Sequence, residues 1–155
     1  MHDTLISMLR CPICGGAMSK KDNSLLCASR HCYDVARQGY VNFVSGQKDM
    51  FYRKELFESR AKVFEAGIYA PVVKALSRVL DSYVRVENPV ILDAGCGEGY
   101  YIKSVCPGRE MVRVGFDLSK DAVRLAAKGQ KTASFFAADL KNIPLQDHTC
   151  DVVLD

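Results

Sequence analysis

Val90-Ile91-Leu92-Asp93-Ala94-Gly95-Cys96-Gly97-Glu98-Gly99-Tyr100-Tyr101 is the stretch whose reading decides the fold of this chain. Val90 to Leu92 is a short, wholly apolar run rich in β-branched residues, the pattern of a parallel strand buried on both faces. It runs into a glycine-rich turn and then a helix. Glycines at such a turn let the backbone approach a ligand closely and are expected to present N–H groups at the helix start.

A lone glycine loop is weak evidence, so the strands around it matter. A second strand is predicted over Met111 to Phe116. It ends in Asp117, 24 residues after Asp93, and a helical run follows from Ala122 to Lys128. An acid at that strand end sits where a ribose diol would be held. A third strand, Ala133 to Ala137, leads into Ala138-Asp139-Leu140, and a fourth, Asp151 to Leu154, follows the loop from Ile143 to Asp147. A dinucleotide fold would show Gly-x-Gly-x-x-Gly. Here the spacing is Gly95-x-Gly97-x-Gly99, preceded by Asp93. That set resembles the class I S-adenosylmethionine-dependent methyltransferases over residues 90–155. The resemblance implies that Asp93 and Gly95, Gly97, Glu98 and Gly99 flank the methionine part of the cofactor. It also implies that Asp117 binds the ribose hydroxyls and that Asp139 and Leu140 lie against adenine.

The rest of the composition bounds the answer. The 155 residues are 48% hydrophobic and 25% charged, which excludes a disordered or fibrous chain. No stretch approaches the ~20 apolar residues of a membrane span, and Met1 to Arg10 shows no secretory pattern. Residues 1–62 hold ten Lys/Arg against six Asp/Glu, so the amino-terminal part is the mildly cationic end. Seven cysteines is an odd number, and four fall within the first 32 residues. A cytosolic chain with reduced thiols is expected, which turns the early cysteines toward metal.

Cys11-Pro12-Ile13-Cys14 is followed, after Gly15, Gly16 and ten further residues, by Cys27-Ala28-Ser29-Arg30-His31-Cys32. A Cys-x2-Cys turn places two thiolates on one tetrahedral ion, and a closed structural zinc site wants four such donors. Cys27 with His31 is the first choice for the second pair; Cys27 with Cys32 is the rival. Lys20 to Asn23 carries a hairpin turn signal between the halves, which suits a zinc ribbon. So small a region cannot bury enough core alone, so the metal would supply much of its stability. Arg30, Arg37, Lys20 and Lys21, with Tyr33, Tyr40 and Phe43, offer charge and stacking surface for RNA. Equally, the aromatics could be the ribbon's own core.

Ser45 to Asp49 is a polar break and the expected linker. From Phe51 the pattern is helical, with Leu56, Phe57, Ala61, Val63 and Phe64 at spacings of three and four, and Gly67 suits its end. Pro71 suits the first turn of a second helix, with Val72, Val73, Leu76, Val79, Leu80 and Tyr83 as its apolar stripe. Packing is the default role of both.

Taken in order, the ribbon, Ala36-Arg37-Gln38-Gly39-Tyr40-Val41-Asn42, Ala66-Gly67-Ile68-Tyr69-Ala70-Pro71 and the Leu92 to Tyr101 stretch resemble the ribosomal RNA large subunit methyltransferase A family. That resemblance implies methyl transfer from S-adenosylmethionine to N1 of a guanine in a 23S rRNA hairpin, with structural Zn2+ on Cys11, Cys14, Cys27 and His31. It favours His31 over Cys32, and it places Tyr69 on the cofactor with Gly97 and Glu98. The fold expected is α/β: a zinc ribbon followed by the first half of a class I, Rossmann-like methyltransferase sheet. Residues 1–45 form the RNA-recognition ribbon, 46–89 a linker and helical lead-in, and 90–155 the cofactor-binding half, with the carboxyl-terminal half of a seven-stranded sheet absent. The implied partner is 23S rRNA in the cytoplasm, with no membrane; a homodimer is among the assemblies left open. No catalytic base is identified. Two other functions compete: an RNA-binding ribbon fragment without catalysis, and a small-molecule methyltransferase with a structural zinc.

Overall fold

The computed structural model describes residues 3–46, 54–128 and 132–155. Gln47 to Asp49 of the expected linker, and Phe51 at the expected helix start, lie outside the described residues. A short helix α1 (Asp3–Met8) precedes three antiparallel strands, β1 (Met18–Lys21), β2 (Ser24–Cys27) and β3 (Cys32–Asp34). The β1–β2 register pairs Lys21 with Ser24, so the turn is Asp22-Asn23, inside the stretch predicted for it. β4 (Val41–Asn42) follows, then the helices α2 (Lys54–Glu65) and α3 (Ala70–Tyr83), the latter with proline in its first turn.

The predicted strand–turn–helix order then unfolds as β5 (Val90–Ala94), α4 (Tyr100–Ser104), β6 (Val112–Asp117), α5 (Lys120–Ala127), β7 (Ser134–Ala137), a 3-10 turn over Leu140–Asn142, and β8 (Val152–Leu154). Ser119 caps α5, its hydroxyl accepting from the Ala122 amide at 3.2 Å. Helix α5 turns Ala122, Val123, Ala126 and Ala127 inward, which explains why this segment lies flat against the sheet.

The larger sheet runs β4-β7-β6-β5-β8, with every pairing parallel. From β5 the chain moves outward through β6 and β7, then returns to β8 on the other side. The strand order therefore reverses beside β5, and ligands of such sheets bind in the crevice at the strands' carboxyl ends there. β4 lies in the segment assigned from sequence to the ribbon, yet it pairs with β7, matching Val41 to Phe136 and Asn42 to Ala137. Two residues are too few to read as a strand by periodicity.

Alternation along the strands sends side chains to two covered faces. On one, Leu92, Val114, Phe116 and Phe136 pack against Leu5, Leu9, Met18, Leu25, Val41 and Phe43. On the other, Ile91, Phe135 and Ala137 meet Leu80, Ile102, Val105, Val123 and Ala126. The ribbon with α1 thus covers one face of the sheet, and α3, α4 and α5 cover the other. Tyr33 meets Phe43 edge-on at 4.8 Å, and Phe43 tilts against Phe136 at 5.5 Å, so aromatic packing runs from the ribbon into the sheet. Tyr40 and Phe43 are buried. Of the two readings of the ribbon aromatics, core packing is the one observed for this pair, because the larger sheet gives them a second layer to pack on. Lys20, Lys21, Arg30 and Arg37 remain exposed. Among the described residues, no helix is long and apolar enough to cross a membrane.

Candidate functional site

At the carboxyl end of β5 the backbone turns through Gly95, Gly97 and Gly99, all with positive φ (86°, 53° and 75°). Gly99 is the one that packing demands. A Cβ there would stand 2.9 Å from the Phe135 ring and 3.1 Å from the Ala126 methyl. Around Gly95, by contrast, a Cβ would meet nothing within 4 Å, so this turn of backbone faces open space.

The loop does not present amides to a ligand in the way expected from the glycine pattern. The Gly95 and Cys96 amides both donate to the Phe116 carbonyl at 2.9 Å, and the Gly99 amide donates to the Cys96 carbonyl at 2.8 Å. The Gly97 amide donates to Asp117 Oδ2 at 2.9 Å, while Asp117 Oδ1 accepts from the Ser119 amide at 2.7 Å. The end of β6 lies close enough to consume these donors, and α4, five residues long, adds little dipole. Such a turn offers a pyrophosphate few of the N–H groups on which dinucleotide folds rely.

What the turn offers instead is negative charge. Asp93 is buried and accepts from the Ile102 amide at 3.3 Å. Burial pushes its carboxyl up to about 6, helped by the charges of Asp117 and Glu98 and opposed by that amide. Glu98 is also buried, and among the described residues neither carboxylate oxygen has a hydrogen-bond partner. Burial raises its pKa too, against the nearby Arg60 and Lys103 charges. Arg60 Nε stands 3.4 Å from Glu98 Oε1, an ion pair without a hydrogen bond, and the guanidinium lies 5.6 Å from the Phe64 ring centroid. Arg60, Asp93, Gly95, Tyr101 and Asp155 line a cavity of about 530 Å³ at this end of the sheet. A larger cavity of about 620 Å³ lies against Val90, Val112 and Ser134, at the strands' amino ends, away from the switch point.

The remaining residues singled out from sequence gather around this end. Tyr69 stands just before α3 and meets the Phe64 ring edge-on at 5.0 Å; Phe64 in turn stacks on Tyr100 at 4.1 Å. Asp139 follows β7 and caps the 3-10 turn, its Oδ1 accepting from the Lys141 amide at 3.0 Å. Leu140 is 63% exposed, an apolar side chain that the described residues leave uncovered. Sequence reasoning missed Arg60 and Phe57, whose side chains come within 4 Å of a Cβ built on Gly97. They lie on a helix whose periodicity signals only packing.

A second centre lies in the ribbon. The ligand atoms of Cys11, Cys14, Cys27 and His31 all fall within 4.8 Å of one another. His31 Nδ1 is 3.4 Å from both Cys11 Sγ and Cys27 Sγ, and Cys14 Sγ is 3.6 Å from Cys27 Sγ. A tetrahedral ion with metal–sulfur bonds of ~2.3 Å sets its sulfurs ~3.8 Å apart, so the donor set fits zinc in both chemistry and span. The neighbouring Cys32 is exposed and stands outside this group. The Gly16 amide, then the Ser29 hydroxyl and His31, lower the Cys14 thiol to about 6, whereas burial raises Cys27. Three thiols converging on one point favour a cation that lets all of them ionise.

Comparison with known proteins finds matches to both parts of the chain. A family model described as "RlmA, N-terminal" matches residues 9–49, and a "Methyltransferase domain" model matches residues 91–155. YxjB of Bacillus subtilis (strain 168), named as a candidate 23S rRNA (guanine-N(1)-)-methyltransferase, is 37% identical over 96% of this chain and 55% of its own length. The 23S rRNA (guanine(748)-N(1))-methyltransferase of Streptomyces fradiae is 31% identical over 100% of this chain and 57% of its own length. A structure of a candidate S-adenosyl-L-methionine-dependent methyltransferase from Methanococcus maripaludis shares the fold. Its TM-score is 0.59 at 18% identity, over 71% of this chain and 52% of that one. The chain spans a little over half the length of the curated relatives it matches. The ribbon and the methyltransferase sheet are thus each similar to a known family, residues 9–49 to the amino-terminal part of RlmA and residues 91–155 to a methyltransferase domain, and the whole chain is similar to proteins named as 23S rRNA (guanine-N(1)-)-methyltransferases.

Proposed function

We propose that this protein transfers a methyl group from S-adenosylmethionine to N1 of a guanine in a 23S rRNA hairpin. The observation that carries the cofactor half of this reading is the charge of the glycine turn. Its Gly95, Cys96 and Gly97 amides are spent on Phe116 and Asp117, and Asp93, Glu98 and Asp117 surround it. An anionic pyrophosphate is repelled by such a turn; a ligand bearing a sulfonium and an ammonium is attracted.

Bound S-adenosylmethionine supplies a methyl group already activated on its sulfonium. The chain's residues position it. Asp93, the Gly95–Gly99 turn and Glu98 are suited to the cationic methionine end, a role in which the resemblance includes Tyr69. Asp117, half-buried at the end of β6, is suited to the ribose diol, and Asp139 with the exposed Leu140 to adenine. Cys11, Cys14, Cys27 and His31 would hold the zinc, and the exposed Lys20, Lys21, Arg30 and Arg37 suit a phosphate backbone. Guanine N1 carries a proton near neutral pH, so the reaction also needs a base or a group at O6. Action on rRNA would place the protein in the cytoplasm.

Titration calorimetry with S-adenosylhomocysteine and with NAD tests the cofactor assignment. Binding of the former alone is expected, and equal binding of NAD would overturn it. Transfer of labelled methyl to a 23S rRNA hairpin, followed by a reverse-transcription stop at the modified guanine, tests the substrate. Label appearing on metabolites and not on the hairpin, with the longest natural form of the protein, would overturn the RNA assignment.

A further inference from the structure

The residues suited to adenine, Asp139 and Leu140, sit on a segment that the ribbon grips from both ends. Before them, β7 is flanked by β4, and the Phe43 amide donates to the Ala137 carbonyl at 2.8 Å. After them, the segment from Asn142 to Asp147 lies along residues 7–12, the strip that leads into the first zinc knuckle. Asn142 Nδ2 donates to the carbonyl of Pro12, between the ligands Cys11 and Cys14. The Arg10 amide donates to the Pro144 carbonyl, and Arg10 Nε to the Ile143 carbonyl, each at 3.1 Å. Leu9 and Leu145 form an antiparallel bridge, both buried in the shared core. The Gln146 amide donates to the Met8 carbonyl at 2.8 Å, and Gln146 Nε2 to the Ser7 carbonyl at 3.0 Å.

We propose that the first zinc knuckle is a positioning element of the cofactor site: through Asn142–Pro12 and the Arg10 contacts it sets the place of Asp139 and Leu140, so that metal occupancy and affinity for an adenosyl ligand are linked. The physical reason lies in the size of the segment. Residues 139–147 hold only a single 3-10 turn, and without neighbours so short a loop would sample many conformations at a cost in entropy on binding. The ribbon removes those conformations in advance. Its own shape depends on the metal, since the knuckle backbone at Pro12 is defined by the two thiolates on either side. Linkage is reciprocal: whatever factor zinc contributes to ligand affinity, the ligand returns to zinc affinity.

This inference rests on the assignment of Asp139 and Leu140 to adenine, and the test separates the two. In hydrogen exchange, the zinc-loaded chain is compared with the chain stripped by a chelator. The hydrogen-bonded amides of Lys141, Asn142 and Gln146 are expected to lose roughly tenfold or more protection on stripping, beyond the change at the α5 amides. Equal protection in both states overturns the proposal whatever the ligand does. In calorimetry, Asn142→Asp and Asn142→Ala, both zinc-loaded, are expected to bind S-adenosylhomocysteine roughly five- to tenfold more weakly. They are also expected to lose the wild-type preference for adenine over hypoxanthine in S-inosylhomocysteine, a discrimination that mere destabilisation would leave intact. Unchanged affinity and preference in both variants overturn the proposal. If the wild-type chain binds no adenosyl ligand while stripping still releases residues 141–147, the adenine assignment fails and the mechanical link stands.

Discussion

Asn in place of Asp93 isolates the electrostatic character of the glycine turn. The buried carboxyl is pushed from its ordinary 3.8 up to about 6, chiefly by desolvation. Two units of pKa correspond to about 3 kcal/mol. The sign follows from linkage. A carboxyl with a raised folded-state pKa contributes stability that is fully present below about pH 4 and lost as pH rises through about 6. Above that, the ligand-free protein holds a buried charge at a cost of about 3 kcal/mol. Asp93→Asn keeps an oxygen to accept from the Ile102 amide and removes the ionisation. Urea unfolding of the wild type and the variant at pH 4.5 and 8, without ligand, should therefore show the variant more stable by about 2–3 kcal/mol at the higher pH and by only about 1 kcal/mol at the lower. The same substitution should weaken S-adenosylhomocysteine binding, because its ammonium loses a charged partner. In the wild type, affinity should rise with pH through about 6, and in the variant that rise should flatten. A stability difference that is the same at both pH values would refute the reasoning, since the cost would then be packing and not charge.

Other perturbations separate packing from ligand contact. Gly99→Ala puts a methyl 2.9 Å from the Phe135 ring at a positive φ and should cost about 2–3 kcal/mol in urea unfolding. Gly95→Ala also strains the backbone, but its methyl enters open space, so it should reduce calorimetric affinity for S-adenosylhomocysteine more than Gly99→Ala does relative to the stability lost. Cys14→Ser should abolish bound zinc as measured by atomic absorption, whereas Cys32→Ser should leave it unchanged, because only the former joins the convergent donors. Phe43→Ala should destabilise ribbon and sheet together by about 3–5 kcal/mol, unfolding in one transition, because its ring is shared between Tyr33 and Phe136. Two separate transitions would show that the two layers are independent.

What was legible beforehand was local. The apolar run at Val90, the glycines after it, the acids ending the next two strands, and the Cys-x2-Cys and Cys-x3-His spacings each fit within a dozen residues. Each reflects a constraint that one segment satisfies alone: strand burial, turn geometry, or the bite of a metal knuckle. Proline at the start of α3 was readable for the same reason, whereas of the apolar residues read on α2 only Phe57 and Phe64 are buried, with Leu56 and Val63 each 41% exposed. Arg60 was not, since its meeting with Glu98 joins residues 38 apart in sequence across a packed helix. Nor were the spent amides of the glycine turn. Whether Gly95 and Cys96 donate to a ligand or to Phe116 depends on how closely β6 lies against β5, which no spacing encodes.

The sequence by itself determined that this chain pairs a zinc knuckle with a glycine-turn sheet, because those signals are short-range and chemically specific. Only the tertiary structure decided that the two are one body. Val41 and Asn42 extend the larger sheet, Tyr40 and Phe43 are buried, and Asn142 reaches the knuckle carbonyl at Pro12. Those outcomes depend on apolar area and hydrogen-bond groups that find partners only once segments about a hundred residues apart are brought together, and such partners carry no periodic mark in the chain.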